Sequence, residues 1–346
     1  MDATPQSAPK RVNLALQGGG AHGAFVWGVL DALLEDGRLE AEAISATSAG
    51  AMNAVVLAYG LAIGGAEAAR GKLQEFWSEV AQIERLFGFA WSPWDRWMQA
   101  LGLPPEYHPS HAVIHAVTHI LPPQVLNPLN INPLRNLLLK VVDFERLNAA
   151  PQATQLFLNA TNVRTGKIAI FETPAITVDA VLASACLPPY FQAVEIDGEH
   201  YWDGGYLGNP AIYPLIYRSG AKDVIIVQVT PITRDELPHT AADVMRRINE
   251  ISFNSSLMRE MRAVAFATRL IDDGELDETK HSRMFVHWIG DDTMMAQLDA
   301  ASQFHPDWAV LCRLRDEGRA TAQQWLAQNA EQIGHSSTID FDAMFL

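Results

Sequence analysis

Two patterns of hydrophobic residues, one typical of strands and one typical of helices, alternate along the first two hundred residues of this chain. Strand-like apolar runs are followed by stretches with one apolar helical face, a pattern typical of a layered α/β fold with a largely parallel sheet. The first run, 12–16, leads into a glycine cluster, and a helical pattern then extends to Gly37. A second run, 43–46, ends just before Ser48. The pattern therefore predicts two successive turns that each connect a strand to a helix.

The remaining pattern extends this arrangement towards the C-terminus. Aspartate and glycine at 197–198 indicate a tight hairpin turn, and the continuous apolar run 223–229 is typical of a buried strand. The predicted helices cover 49–61, 66–86, 137–142, 177–185 and 241–270, and the predicted strands cover 155–163, 167–171, 194–202, 223–229 and 283–289.

Composition narrows the class of protein. The hydrophobic share of 49% and the charged share of 19% indicate a globular chain that buries a core. A net charge of −15 argues against nucleic-acid binding and against purely electrostatic docking on anionic lipid. The 2 cysteines form no disulfide framework, which fits a reducing compartment such as the cytoplasm. We read no signal peptide in residues 1–10 and no run of apolar residues long enough to span a membrane.

The glycine cluster is compatible with more than one function. Gly18, Gly20 and Gly23 match the spacing of a dinucleotide-binding fingerprint, which also requires an acidic residue at the end of the second strand. That strand ends instead at Ala46 and is followed by Ser48. No lysine followed by serine or threonine completes a phosphate-binding P-loop either. The glycines then serve either as bare amide donors or as close-packing positions between strand and helix.

Ser48 has the surroundings of a nucleophile on a sharp strand-to-helix turn. Such a turn requires small neighbours, which Ala49 and Gly50 supply, and the helix that follows directs its amino-terminal dipole at the serine. Ala46 stands where glycine is usual. The alternative interpretation is that Ser48 merely caps the helix, a common role of serine.

A serine nucleophile needs a base and donors for the developing oxyanion. Asp203, followed by Gly204 and Gly205 at the end of a predicted strand, offers the carboxylate. The amides of Gly18, Gly19 and Gly20 offer the donors. Alternatively, Asp203 only caps its own turn.

In this order the three motifs resemble the patatin-like phospholipase family, and the match covers roughly residues 12–217. The segments 183–188 and 209–210 also resemble the family. The resemblance implies a three-layer α/β/α sandwich with a largely parallel central sheet, and a Ser–Asp dyad without a catalytic histidine, metal or cofactor. By position, Ser48 is the nucleophile, Asp203 the general base and Gly18–Gly20 the oxyanion hole, supported by Gly23, Ala46, Ala49, Gly50, Gly204 and Gly205. His22 departs from the family pattern, which usually has arginine or lysine there, and Ala46 replaces its first elbow glycine.

We therefore expect a flexible tail over 1–11, a patatin-like catalytic domain over 12–217, and strands and mostly helical segments over 218–346 packed on the same domain. The expected activity is hydrolysis of acyl esters of lipids, with peripheral membrane contact as an option and no nucleic-acid partner. An esterase or thioesterase for soluble acyl substrates and a catalytically silent lipid-binding regulator remain alternatives. The sequence does not indicate an oligomeric state.

Two further segments invite functional interpretations. His111, His115 and His119 recur at helical spacing, for which a polar helix face is a simpler explanation than zinc binding. The tryptophan-rich segment 87–103 is either a lipid-facing flap or a cap packed on the core.

Overall fold

One mixed sheet organises the molecule. The computed structural model describes residues 8–87, 121–150, 154–188, 190–277, 283–298, 303 and 306–345. Within them, an eight-stranded sheet has the order β5-β6-β3-β2-β1-β7-β8, with β4 pairing with β3 off this path. The strands are β1 (Lys10–Leu16), β2 (Leu39–Ala46), β3 (Gln155–Asn162), β4 (Ile168–Glu172), β5 (Val194–Ile196), β6 (Glu199–Asp203), β7 (Asp223–Val227) and β8 (Phe285–Ile289).

The centre of the sheet is parallel and one side is antiparallel. β3, β2, β1, β7 and β8 pair in parallel, whereas β4 and β6 run antiparallel to β3, and β5 runs antiparallel to β6. The hairpin between β5 and β6 turns at Asp197 and Gly198, both with positive φ, as the sequence predicts. The carboxyl ends of β1 and β2 lie side by side, since Leu16 pairs with Ala46. Any groups that follow these two strands therefore lie close together.

Alternating strand residues supply two separate cores. In β1, Leu14 and Leu16 pack into one apolar cluster with the helices at 23–36 and 49–87, while Ala15 packs into the other cluster with the helix at 241–272. The same alternation places Ile225 and Ile226 of β7 on opposite faces. Because both faces of the sheet are covered by helices, the predicted layered α/β/α architecture is confirmed. The helices are α1 (Gly23–Asp36), α2 (Ala49–Phe87), α3 (Pro123–Leu126), α4 (Pro133–Val141), α5 (Phe144–Ala149), α6 (Val178–Ser184), α7 (Tyr213–Arg218), α8 (Ala241–Asp272), α9 (Asp292–Ala296), α10 (Trp308–Asn329) and α11 (Phe341–Phe345).

Helix α2 consists of two helical segments joined by a kink. Gly64 and Gly65 leave helical geometry, and Gly65 has a φ of 70°. The two predicted helices 49–61 and 66–86 are thus present on either side of these glycines. The described stretch Ala49–Ile83 is long and apolar enough to meet a length-and-composition test for a membrane span, which the sequence reading did not anticipate. However, 61% of its most apolar window is buried inside the protein, as in a core helix.

The C-terminal part extends the same sheet. β7 pairs with β1, and β8 pairs with β7, so residues beyond 217 complete the parallel centre of the sheet. α10 packs on the outside of α1, where Gly318 approaches the backbone of Phe25. The predicted mostly helical C-terminal region is therefore present.

Candidate active site

The glycine-rich loop lies directly against the turn that carries Ser48. A side-chain carbon on Gly18 would lie 2.5 Å from Cβ of Ser48 and 2.8 Å from the carbonyl oxygen of Thr47, so only glycine fits there. Gly20 has a φ of 58°, a left-handed conformation that favours glycine. The loop ends in a short 3-10 turn, Gly20–His22, and α1 begins at Gly23. The loop and the serine turn are thus fitted to each other.

The amides of this loop differ in what they contact. The N–H of Gly18 donates a hydrogen bond of 2.8 Å to Oδ1 of Asn209 and is already satisfied. No residue in the described ranges accepts a hydrogen bond from the amides of Gly19 or Gly20. Of the three amides predicted as donors from the sequence, only that of Gly18 therefore has an acceptor among the described residues.

Ser48 has the backbone conformation of a nucleophile elbow. Its φ is 56°, an unusual value for a residue with a side chain, and α2 begins at the next residue. The amide of Ser48 donates a hydrogen bond of 3.0 Å to Oγ of Ser184, at the end of α6. The carbonyl of Ser48 accepts from the amide of Met52 in the first turn of α2. These bonds hold Ser48 in a conformation that costs about 1–3 kcal/mol.

Asp203 ends β6 with its side chain completely buried. Its Oδ1 accepts a hydrogen bond of 2.7 Å from the amide of Gly205. Desolvation raises the pKa of Asp203 to about 7, although hydrogen bonding from Gly205 and from the Ser48 side chain opposes the rise. Its other oxygen, Oδ2, has no fully formed hydrogen bond to any described residue. The Ser48 side chain is therefore close enough to the carboxyl group to lower its pKa, but the two groups form no hydrogen bond of ordinary geometry.

The sheet sets the relation between Ser48 and Asp203. On β3, Leu158 pairs with Ala46 of β2, and Ala160 pairs with Asp203 of β6. Ser48, which follows Ala46 by two residues, and Asp203 therefore both lie at the carboxyl edge of the parallel strands. The β3 residues that pair with Ala46 and Asp203 are two positions apart. The hydroxyl of Thr161 fixes the backbone there by donating to the carbonyl of Asp203 at 2.8 Å.

His22 gives the site a neutral neighbour. Its side chain is buried, and desolvation lowers its pKa to about 4, so the imidazole is uncharged at neutral pH. The family pattern usually has arginine or lysine at this position, so this protein lacks a fixed positive charge there. Within the loop itself, the groups that can stabilise a negative charge are therefore its backbone amides.

The supporting small residues lie where backbones approach closely. Extra side-chain atoms at these positions would meet neighbouring backbone, methyl or ring atoms. The contacts are Gly23 with Ala49, Gly50 with the carbonyls of Leu16 and Gln17, Gly204 with Asn159, and Gly205 with the ring of Phe253. Ala46 is itself fully buried, and its carbonyl accepts a hydrogen bond from Nδ2 of Asn159.

Three buried polar residues near the site were not assigned roles from the sequence. Ser184 contacts the amide of Ser48, Asn209 contacts the amide of Gly18, and Asn159 contacts Oγ1 of Thr47 at 2.9 Å. Ser184 and Asn209 lie in the two extra segments of the family resemblance, which was the available signal. Their partners are far away in the chain, so spacing alone could not identify them.

The structure also has a cavity away from the serine turn, and two other segments singled out in the sequence lie outside the described residues. A cavity of about 580 Å³ opens at the amino ends of β1 and β2, with Val12, Leu39 and Ala66 in its lining, and it includes neither Ser48 nor Asp203. Within the described ranges, no cluster of three or more histidine, cysteine or carboxylate side chains is suited to a metal. The histidines at 111, 115 and 119, and the aromatic segment from 88 to 103, lie outside those ranges.

These features define an α/β protein with a serine elbow and a glycine-rich loop at the carboxyl edge of its parallel strands. The sequence model of the patatin-like phospholipase family matches residues 14–216, and the chain belongs to that family. The resemblance drawn from the three motifs is confirmed, and membership supports a lipid acyl hydrolase. Comparison with curated proteins gives no match.

Solved structures provide further similarities. VipD from Legionella pneumophila is 17% identical with a TM-score of 0.41, over 93% of this chain and 67% of VipD. Full-length ExoU of Pseudomonas aeruginosa, in complex with SpcU, is 17% identical with a TM-score of 0.31, over 89% of this chain. The match covers 53% of that ExoU chain, so this protein spans about half of its length.

Proposed function

We propose that this protein is a serine lipid acyl hydrolase in which Ser48 is the nucleophile and Asp203 the general base. The observation that carries the proposal is the serine with positive φ beside a fully buried carboxyl group and two glycine amides that donate to no described residue. A base with a pKa of about 7 is well matched to proton transfer at neutral pH. Family membership supports the same class of reaction.

The reaction proceeds in two acyl-transfer steps. Asp203 accepts the proton of Oγ of Ser48 as this oxygen bonds to the acyl carbon, and the amides of Gly19 and Gly20 stabilise the oxyanion. The carbon–oxygen bond to the leaving alcohol then breaks, and the alcohol receives the proton from Asp203. A water molecule next gives its proton to Asp203 and attacks the acyl carbon. Oγ of Ser48 recovers a proton as the carboxylic acid leaves.

Covalent labelling tests this assignment. A fluorophosphonate probe should label Ser48, and both Ser48→Ala and Asp203→Asn should abolish hydrolysis of phospholipids and nitrophenyl esters. Loss of one donor in an oxyanion hole alone lowers turnover ~100–1000-fold, so loss of the nucleophile should have at least that effect. Unchanged hydrolysis by Ser48→Ala would refute the proposal. A folded parent protein without labelling or hydrolysis would instead indicate the silent lipid-binding alternative.

Exposed apolar side chains beside the site support a lipid rather than a soluble substrate. On the first half of α8, Val244, Met245, Ile248 and Ile251 are 41–55% exposed, with the spacing of one helical side. Shortly after them, Phe253 covers Gly205 and contacts the ring of Tyr206. This apolar strip of α8 therefore leads towards Asp203.

The charges on the same half of α8 are paired within the protein. Arg246 pairs with Asp243, and Arg247 donates to Glu250 at 3.2 Å and to the carbonyl of Ile232 at 2.8 Å. The strip thus presents an apolar surface without free cations, which suits a zwitterionic bilayer better than an anionic one.

Vesicle binding tests this substrate class. Replacing Ile248 and Ile251 together with glutamate should reduce sedimentation with phosphatidylcholine vesicles and hydrolysis of vesicle lipid, while hydrolysis of a short soluble ester is retained. Phe266→Glu is the matched control, because Phe266 is 59% exposed on the distal half of the same helix. If the double variant binds and hydrolyses vesicle lipid like the control, the strip has no part in lipid binding. If the parent protein hydrolyses the soluble ester but neither binds nor hydrolyses vesicle lipid, the soluble-substrate alternative is favoured.

A further inference from the structure

The carboxamide of Asn209 holds the first amide of the glycine-rich loop. Oδ1 of Asn209 accepts the hydrogen bond from Gly18 at 2.8 Å, across 191 positions of sequence, and Asn209 is completely buried. A side-chain carbon at Gly18 would touch Ser48, so this hydrogen bond lies next to the serine turn. Asn209 thus reaches the reactive part of the fold through the backbone of Gly18.

The orientation of this carboxamide leaves one of its two polar groups without a partner in the described part of the chain. Its oxygen faces Gly18, and its Nδ2 has no hydrogen-bond partner among the described residues. A buried unpaired donor costs about 1–3 kcal/mol. Aspartate would accept from Gly18 without that unpaired donor, but an ionised carboxylate would place negative charge beside the developing oxyanion. Asparagine combines a strong acceptor for Gly18 with no charge.

The loop requires such an anchor because its own residues provide little rigidity. Gly18, Gly19 and Gly20 are consecutive glycines, which have the widest range of backbone conformations. An oxyanion hole is effective only when its donors are oriented before the reaction. At the far side of the loop, the carbonyl of Gly19 accepts from the amide of His22 at 3.2 Å. Asn209 supplies the corresponding hydrogen bond at the near side.

We propose that Asn209 is a positioning residue that, through the N–H of Gly18, orients the amides of Gly19 and Gly20 towards the substrate oxygen. This inference rests on the proposed hydrolase function and adds a residue to it. Asn209 acts on the transition state through the loop, so its loss should lower kcat more than it raises KM.

The test compares kcat per active site, titrated with a fluorophosphonate, in full-length variants. Asn209→Ala should lower kcat ~10–100-fold, somewhat less than direct loss of a donor, with KM nearly unchanged. Asn13→Ala is the matched control. Asn13 lies in β1, away from the loop, and is as buried as Asn209. Its side chain donates a hydrogen bond of 2.9 Å to the carbonyl of Ala221. This substitution should lower the melting temperature but leave kcat per titrated site unchanged.

Asn209→Asp supplies the conservative rescue. Burial raises the pKa of a carboxyl group, and a protonated aspartate still offers a carbonyl oxygen to Gly18. The ratio of variant to parent kcat should therefore recover at mildly acidic pH and fall as the introduced group ionises. This pH dependence would not follow from a purely structural role.

Four outcomes separate the possible conclusions. Unchanged kcat per titrated site in Asn209→Ala, or an equal loss in Asn13→Ala, would overturn the positioning role. Equally poor rescue by Asn209→Asp at every pH would overturn it as well. Undiminished hydrolysis by Ser48→Ala, measured in parallel, would show instead that the underlying hydrolase assignment fails.

Discussion

Replacing Asp203 with asparagine should abolish activity and at the same time stabilise the protein at alkaline pH. The carboxyl group has an ordinary pKa of 3.8 in the unfolded chain, and desolvation raises it to about 7 in the fold. The folded state therefore binds this proton more tightly than the unfolded state does. The contribution of Asp203 to stability is fully present below pH 3.8 and is lost as the pH rises to about 7.

The size of this effect follows from the two pKa values. One pH unit corresponds to 1.36 kcal/mol, so the interval from 3.8 to about 7 corresponds to a loss of about 4 kcal/mol in the free energy of unfolding. About 3 kcal/mol of that loss falls between pH 5 and pH 8. Asparagine carries no charge, so the variant does not lose this free energy of unfolding as the pH rises. Its new amide group places a donor at the Oδ2 position, which has no hydrogen-bond partner among the described residues, and this offsets about 1–3 kcal/mol of the gain.

Thermal and urea unfolding of parent and variant at pH 5 and pH 8 measure this difference. Other titrating groups contribute equally to both proteins and cancel in the comparison. The stability of Asp203→Asn relative to the parent should rise by about 3 kcal/mol from pH 5 to pH 8. An identical difference at the two pH values would refute the view that Asp203 is held in a desolvated site. Gly205 should remain bonded in both proteins, since asparagine retains the accepting oxygen.

Further predictions concern the serine turn and the loop. The kcat/KM of the parent should fall below a pH of about 7, because protonated Asp203 cannot accept the proton of Ser48; a flat pH profile from 5 to 8 would exclude it as the base. Gly18→Ala should remove nearly all hydrolysis, because the new carbon would overlap Cβ of Ser48 at 2.5 Å, and an active variant would show that the loop can shift. Ser184→Ala should leave the amide of Ser48 unpaired, with a loss of about 1–3 kcal/mol in unfolding free energy and slower fluorophosphonate labelling; parent-like labelling would contradict its role at the turn.

The sequence predicted the local parts of the site because each part is encoded by neighbouring residues. Each motif determines its local geometry within a few positions. The three motifs are a glycine cluster between a strand and a helix, a serine before small residues, and an aspartate before two glycines. The kink at Gly64 and Gly65 and the hairpin turn at Asp197 could be predicted for the same reason. Why these parts meet depends on the strand order, to which the alternating pattern gave only a general guide.

Contacts between distant residues could not be predicted in this way. The occupation of the Gly18 amide by Asn209 and the support of Ser48 by Ser184 involve separations of 191 and 136 positions. The shifted pKa values of Asp203 and His22 arise from burial, which depends on the complete packing of the fold. The apolar length of α2 also has a structural explanation, since the helix packs in the core.

The pairing of β1 with β7 bears on how the chain can be shortened. The region matched by the family ends at residue 216, whereas β7 begins at Asp223. A fragment that stops at the end of the match would leave one side of β1 as an open edge, with unpaired backbone groups beneath the glycine loop. Such an edge favours aggregation, so expression of the matched region alone should give a poorly soluble product. The region that the family model matches therefore depends on residues beyond it to remain folded.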